Sequence, residues 1–252
     1  MPTRLLILGG SSEASQLAAA LAGRRDLHPL LSLAGVTRTP RPQPIEVRHG
    51  GFGGVEGLIS FLRRWGASGL IDATHPFAAR MSMNAASAAE VTGLPLLRFT
   101  RAAWLPGQGD DWHSVGDLAA AAAALGPKPR RVFLTTGRQG IEAFEAAPLH
   151  HYLIRAVDPP ARRPALSDQT WLLDRGPFQL DGELDILRHH RIDILVTKNS
   201  GGEAAAAKLV AARLLRVPVI MIDRPRLPPV PCRHVIDDVL DWIARLPHGA
   251  AS

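Results

Sequence analysis

The sequence contains a single cysteine, Cys232, set between Pro231 and Arg233. One thiol excludes an internal disulfide and leaves no cysteine cluster for a metal. Long apolar runs are missing as well: nothing approaches the ~18 consecutive apolar residues of a membrane span. The amino-terminal segment lacks the basic and long apolar stretches of a secretory signal. A cytoplasmic protein with no membrane partner is therefore expected. Aromatic residues make up only 5%, which argues against a basic groove studded with stacking rings for nucleic acid. Three catalytic signatures are also absent: there is no G-x-x-x-x-G-K-[ST] loop, no H-E-x-x-H helix and no G-x-S-x-G elbow. P-loop, zincin and α/β-hydrolase chemistries thereby lose their support.

What is present is a packed globule, with 46% hydrophobic and 21% charged residues over 252 positions. That length suits one large domain or two small ones. Short apolar runs alternate with helical patterns, the mark of βα repeats and a parallel sheet. Strands are expected over 4–8, 30–34, 45–48, 69–72 and 94–99, with helices over 12–22, 55–65 and 77–92. An irregular Gly/Pro/Asp-rich stretch over 100–112 reads as a linker. A second series follows, with strands over 131–135, 151–157, 171–174, 192–197 and 217–223. Its helices fall over 117–125, 139–146, 181–190, 202–215 and 235–246. The expected architecture is α/β: two Rossmann-like, doubly wound parallel-sheet domains, 1–110 and 111–248, with an interdomain cleft. No repeat at a fixed period is visible.

In open parallel sheets ligands bind outside the carboxyl ends of the strands, so the turns after the strands are where chemistry belongs. The first such turn is Gly9-Gly10-Ser11-Ser12-Glu13. Its glycines would let the backbone approach a phosphate, and Ser12 would cap a helix whose amino end favours an anion. The full G-x-G-x-x-G fingerprint is not met, because Leu8 and Glu13 stand where its outer glycines would be. After strand two, no acid awaits a free ribose 2′-hydroxyl, whereas Thr37 and Arg38 could hold a 2′-phosphate, which favours NADPH over NADH. His49-Gly50-Gly51-Phe52-Gly53-Gly54 carries four glycines in six residues. Either a cofactor presses on this backbone at Gly51 and Gly53 or the loop is merely flexible. Thr74 and His75 follow strand four, ahead of Pro76; the histidine could donate to a cofactor, shuttle a proton, or simply cap the next helix. In the second half, Thr136-Gly137 repeats the strand-turn-helix logic. Lys198-Asn199-Ser200-Gly201 then concentrates a cation, an amide, a hydroxyl and a glycine into a site for phosphate or carboxylate.

The net charge of +6 calls for an anionic partner. The arginines are scattered over every segment, which fits a polyanionic small molecule better than nucleic acid.

Taken in order, GGSSEA, GGFGG, DATHPFA, TTGRQ, RAVDPP, RGPF and VTKNSGG resemble the precorrin-6A reductase family of aerobic cobalamin biosynthesis, and they span nearly the whole chain. DATHPFA and KNSGG are its specific motifs. The resemblance implies NADPH as cofactor and a polycarboxylate tetrapyrrole as substrate, with neighbouring cobalamin-pathway enzymes as candidate protein partners. It implies hydride transfer to the ring D carbon adjoining ring A, giving precorrin-6B, with Lys198, His75 and Thr74 nearest the reaction. Gly9, Gly10, Ser11 and Ser12 match the family's glycine turn, and Lys198, Asn199, Ser200 and Gly201 its lysine turn. Val36 departs from the pattern, where an arginine is expected before Thr37, so the 2′-phosphate role rests on Arg38. Two alternatives stay open: a cobalt-precorrin-6A reductase of the anaerobic pathway, and a basic nucleotide- or nucleic-acid-binding module without redox activity.

Overall fold

A computed structural model of the chain describes residues 2–34, 42–160 and 162–247. It divides into two compact units, one made of Met1–Ala102 with Pro225–Ser252, the other of Ala103–Arg224.

The first unit holds one sheet in the order β12-β5-β4-β1-β2-β3. Its strands are β1 (Thr3–Leu8), β2 (Leu27–Leu33), β3 (Glu46–His49), β4 (Gly69–Asp72), β5 (Leu96–Phe99) and β12 (Cys232–Arg233). Every neighbouring pair is parallel. In β1, Leu5 and Ile7 pack beneath α1 (Ser12–Leu21) and α7 (Ile236–Ala244), whereas Leu6 and Leu8 pack beneath α2 (Val55–Trp65) and α3 (Ala79–Thr92). A strand covered on both faces reads as a continuous apolar run, which is why β1 is LLIL. Helix α1 answers with Ala14, Leu17, Ala18 and Leu21, three and four residues apart on one face.

The second unit repeats the plan in the order β6-β11-β10-β7-β8-β9, again parallel throughout. Its strands are β6 (Trp112–Val115), β7 (Arg131–Leu134), β8 (His151–Ala156), β9 (Gln169–Leu173), β10 (Ile194–Lys198) and β11 (Val219–Ile222). The helices are α4 (Leu118–Ala124), α5 (Leu180–His189) and α6 (Ala207–Leu215). One core, with Phe133, Leu153, Leu187, Leu195, Leu209 and Ala212 at its centre, joins the sheet to α5 and α6. An ion pair is buried in this unit: Arg155 Nη1 lies 2.5 Å from Glu183 Oε1, with the guanidinium 3.9 Å over the Phe178 ring.

The expected fold class holds. The division of the chain differs from the expected 1–110 and 111–248, because the last segment returns to the first unit. There β12 pairs with β5, and Val239 and Ile243 of α7 need the apolar cover that Leu5 and Ile7 supply. Strands β6 and β12 lie where no strand is expected: each is an edge strand, and only Val115 of β6 is buried, so neither carries the apolar run of a central strand. The helix expected over 139–146 is a 3₁₀ turn, Ile141–Ala146, which opens after Gly140 at φ +80°. The helix expected over 202–215 divides into a 3₁₀ turn, Glu203–Ala205, and α6.

Candidate active site

Each sheet reverses its strand order once. In the first sheet the chain runs β1-β2-β3 to one side, then restarts at β4 on the other side of β1. The switch point therefore falls between the carboxyl ends of β1 and β4, the position that binds ligands in doubly wound sheets. Gly9 to Glu13 follow β1, and Thr74 and His75 follow β4. The two turns are tied together by Ser11, whose hydroxyl donates to the Ala73 carbonyl at 2.7 Å. The same oxygen accepts from the Ala14 amide at 3.2 Å and caps α1. The cap is thus Ser11 rather than the expected Ser12, since Ser12 is already the first residue of the helix.

The two glycines of the first turn are required for different reasons. A Cβ at Gly9 would lie 2.7 Å from Leu31 Cδ1, so this glycine admits the neighbouring strand's side chains. Gly10 has φ +122°, and a Cβ there would meet no protein atom within 4 Å, leaving its outer side open to a ligand. Ser12 and Glu13 are engaged by Arg101, whose Nη1 donates to Ser12 Oγ at 3.1 Å and to Glu13 Oε2 at 2.8 Å. This guanidinium offsets a carboxylate that would otherwise repel a phosphate at the amino end of α1.

On the β4 side the Thr74 hydroxyl is buried. It donates to Asp72 Oδ1 at 2.7 Å and lies 3.3 Å from Ser82 Oγ on α3. His75 is half-buried, and its Nδ1 accepts from the Phe77 amide at 3.2 Å. An accepting Nδ1 places the proton of the neutral ring on Nε2. Helix α3 starts at Ala79, two residues later than expected, because Pro76 and Phe77 complete a turn closed by the Ala78 amide on the His75 carbonyl.

The glycine loop after β3 is organised from within. Arg48 Nη1 donates to the carbonyl of Gly50 at 3.0 Å and Nη2 to that of Gly51 at 3.3 Å, with the guanidinium 3.9 Å over the Phe52 ring. Gly50, Gly53 and Gly54 have positive φ, which accounts for three of the four glycines. Gly51 has neither a positive φ nor a neighbour within 4 Å of a Cβ. Thr37 and Arg38 lie outside the described residues.

The second sheet switches between β7 and β10. Thr136 and Gly137 follow one strand, while Lys198 ends the other and Asn199 to Gly201 follow it. Lys198 Nζ donates to the Thr136 carbonyl at 2.9 Å and bridges the two turns. Burial lowers the Lys198 pKa. The Asn199 amide grips one residue, taking the Trp104 N–H at 2.8 Å and giving to its carbonyl at 3.0 Å. The indole N–H of Trp104 reaches the Gly202 carbonyl at 3.1 Å. Arg224 holds the carbonyls of Asn199 and Ser200 at 3.0 and 3.1 Å. Arg101, Asp72, Trp104 and Arg224 were not among the expected site residues; Asp72 bonds the Thr74 two residues on, whereas Arg101, Trp104 and Arg224 reach their turns by fold contacts that no local pattern announces.

A doubly wound parallel sheet with a glycine turn and a capped helix at its switch point, present here alongside a second such sheet, defines the Rossmann-like class of α/β enzymes. Within that class the chain belongs to the precorrin-6x reductase family, CbiJ/CobK, which it matches over residues 4–244. It is 50% identical over 248 residues to the precorrin-6A reductase of Rhodobacter capsulatus, covering 98% of each chain. It is likewise 50% identical over 243 residues to that of Rhodococcus erythropolis, covering 96% of each. A solved structure of the precorrin-6A reductase CobK superposes with a TM-score of 0.92 at 50% identity, over 99% of this chain and 98% of that one.

Proposed function

We propose that this chain reduces precorrin-6A to precorrin-6B with NADPH as reductant. The hydride goes to the ring D carbon that adjoins ring A, and a proton goes to its former double-bond partner. The observation that carries this reading is the end-to-end likeness to precorrin-6A reductases, in a chain whose polar turns stand at both switch points. NADPH supplies the hydride when bound.

The residues fit such a cofactor. The open side of Gly10 and the Ser11-capped start of α1 suit a pyrophosphate, and Arg101 offsets the Glu13 carboxylate beside them. Gly51 offers bare backbone, and Thr37 with Arg38 is assigned to the 2′-phosphate. His75 has its single proton on Nε2, with Nδ1 accepting from the Phe77 amide. It serves the protonation step by donating a hydrogen bond from Nε2 to the water that gives up the proton, since a neutral ring that gave its own would be left an imidazolate. Lys198, partly desolvated, stabilises negative charge as it develops in the macrocycle. The surplus of positive charge orients a substrate rich in carboxylates.

The purified protein, given metal-free precorrin-6A and NADPH deuterated at the transferring position, is expected to yield product with one deuterium on ring D and to work less well with NADH. Preference for the cobalt-loaded macrocycle would overturn the metal-free assignment. Tight oligonucleotide binding without any transfer from NADPH would overturn the reductase reading altogether.

A further inference from the structure

Asp72 is the last residue of β4 and is 2% exposed. A carboxylate so deeply buried is costly unless its oxygens are satisfied. Here Oδ1 accepts from the Thr74 amide at 3.2 Å and from the Thr74 hydroxyl at 2.7 Å, while Oδ2 faces Arg98 Nε at 3.4 Å. An asparagine would make the same turn with its single carbonyl oxygen and bury no charge. The carboxylate does something more: it accepts at both oxygens, so the turn is fixed to the strand on one side and to Arg98 of β5 on the other. Thr74 carries the restraint onward, because its hydroxyl also meets Ser82 Oγ, itself 3% exposed, on the first turns of α3.

His75 is the next residue along. Its carbonyl is held by the Ala78 amide at 2.7 Å and its Nδ1 by the Phe77 amide at 3.2 Å. Pro76 fixes φ between them. The ring therefore hangs from a turn clamped before it by Asp72 and Thr74 and behind it by Phe77 and Ala78. With Thr74 buried at 8% exposure and its hydroxyl shared between Asp72 and Ser82, this hydroxyl serves the turn.

We infer that Asp72 and Thr74 are positioning residues that hold His75 in one orientation and one tautomer, Nε2–H, at the switch point. The inference rests on the reading of His75 as the hydrogen-bond donor of the protonation step, but the orientation it describes can be measured without turnover. Long-range ¹⁵N–¹H NMR of the imidazoles, with the His75 signals identified by their loss in His75→Asn, reports the tautomer directly. Thr74→Val keeps the side chain's shape and deletes the hydroxyl, Thr74→Ser restores it, and Asp72→Asn removes one acceptor oxygen. In the whole protein, neutral His75 is expected to be almost entirely the Nε2–H form. Thr74→Val and Asp72→Asn are expected to mix the two tautomers and to lower kcat about 10²-fold, the scale of an ångström's misplacement. KM for NADPH should change less than about threefold, since only the donor is displaced. Thr74→Ser should return both readouts to wild type. Should Asp72→Asn fail to fold, the two Thr74 variants carry the test alone. His75 signals identical to wild type in Thr74→Val would overturn the inference whatever the rates. Mixed tautomers alongside unchanged kcat in His75→Asn would support the positioning and overturn the donor role.

Discussion

The ammonium of Lys198 sits at the end of a central strand, bonded to the Thr136 carbonyl and partly withdrawn from water, and burial lowers its pKa. A desolvated cation responds more strongly to developing negative charge than one in bulk water. Lys198→Met keeps the length of the side chain and removes the charge. It is expected to lower kcat about 10²-fold or more, with KM for NADPH little changed; steady-state kinetics on precorrin-6A checks this. Kinetics equal to wild type would leave Lys198 a strut between two turns. Local chemistry announces this lysine, as it does Gly10, Thr136 and His75, because each stands at a strand's end or in the turn after it, and that turn carries a glycine or proline. It does not announce Arg101, which meets Glu13 across 88 residues of sequence, or Trp104, which meets Asn199 across 95. Those pairings exist only once the strands have taken their order. Asn199 makes the same point from the other side: its amide reads from sequence as a ligand group, yet in the fold it clamps a backbone.

At the scale of elements, α2 contains a glycine that helix propensity alone disfavours. Gly57 sits in the first turn, and a Cβ there would lie 1.6 Å from the Phe52 carbonyl oxygen and 2.7 Å from its carbon. Those are backbone atoms, so the glycine loop after β3 rests directly on the helix at this position. Gly57→Ala is expected to destabilise the protein by more than about 1 kcal/mol, since the loop must shift, and to disorder the contact between Arg48 and Phe52. Chemical denaturation measures the first and tryptophan-independent Phe52 NMR shifts the second. A wild-type midpoint would show that the loop yields freely. Strands and helices with strong periodicity, such as β1, β4 and α2, are legible because burial on both faces or one face leaves its pattern. The short 3₁₀ turn Ile141–Ala146 and the edge strands β6 and β12 are not, because backbone pairing or a positive φ decides them.

Across the whole molecule, histidines away from the switch points set a limit in acid. His150 is 2% exposed, and burial, then the charge of Arg130, lowers its pKa against a hydrogen bond to the Gly126 backbone that raises it. Burial, then His189, Arg131 and His151, likewise lowers that of His190. Asp168 pairs with His151 at 2.7 Å. Both histidines therefore bind protons less readily folded than unfolded. Above the unfolded value of about 6.5 they contribute nothing. As pH falls below it the unfolded chain takes up protons first, and stability declines until the depressed folded values are passed. Melting curves between pH 7.5 and 5.5 are expected to fall more steeply for the wild type than for His190→Gln. Parallel curves would remove His190 from the account.

The division of the chain carries one more consequence, for the order in which the molecule is made. The second unit is a continuous stretch, Ala103–Arg224, whereas the first borrows β12 and α7 from beyond Pro225. Val239 and Ile243 cover the same core as Leu5 and Ile7. On the ribosome, the sheet whose first strand emerges earliest must wait, with that face covered by α1 but not by α7, until α7 has been translated, while the later sheet can close first. Synthesis and completion thus run in opposite directions, with more than a hundred intervening residues made before the first core is whole.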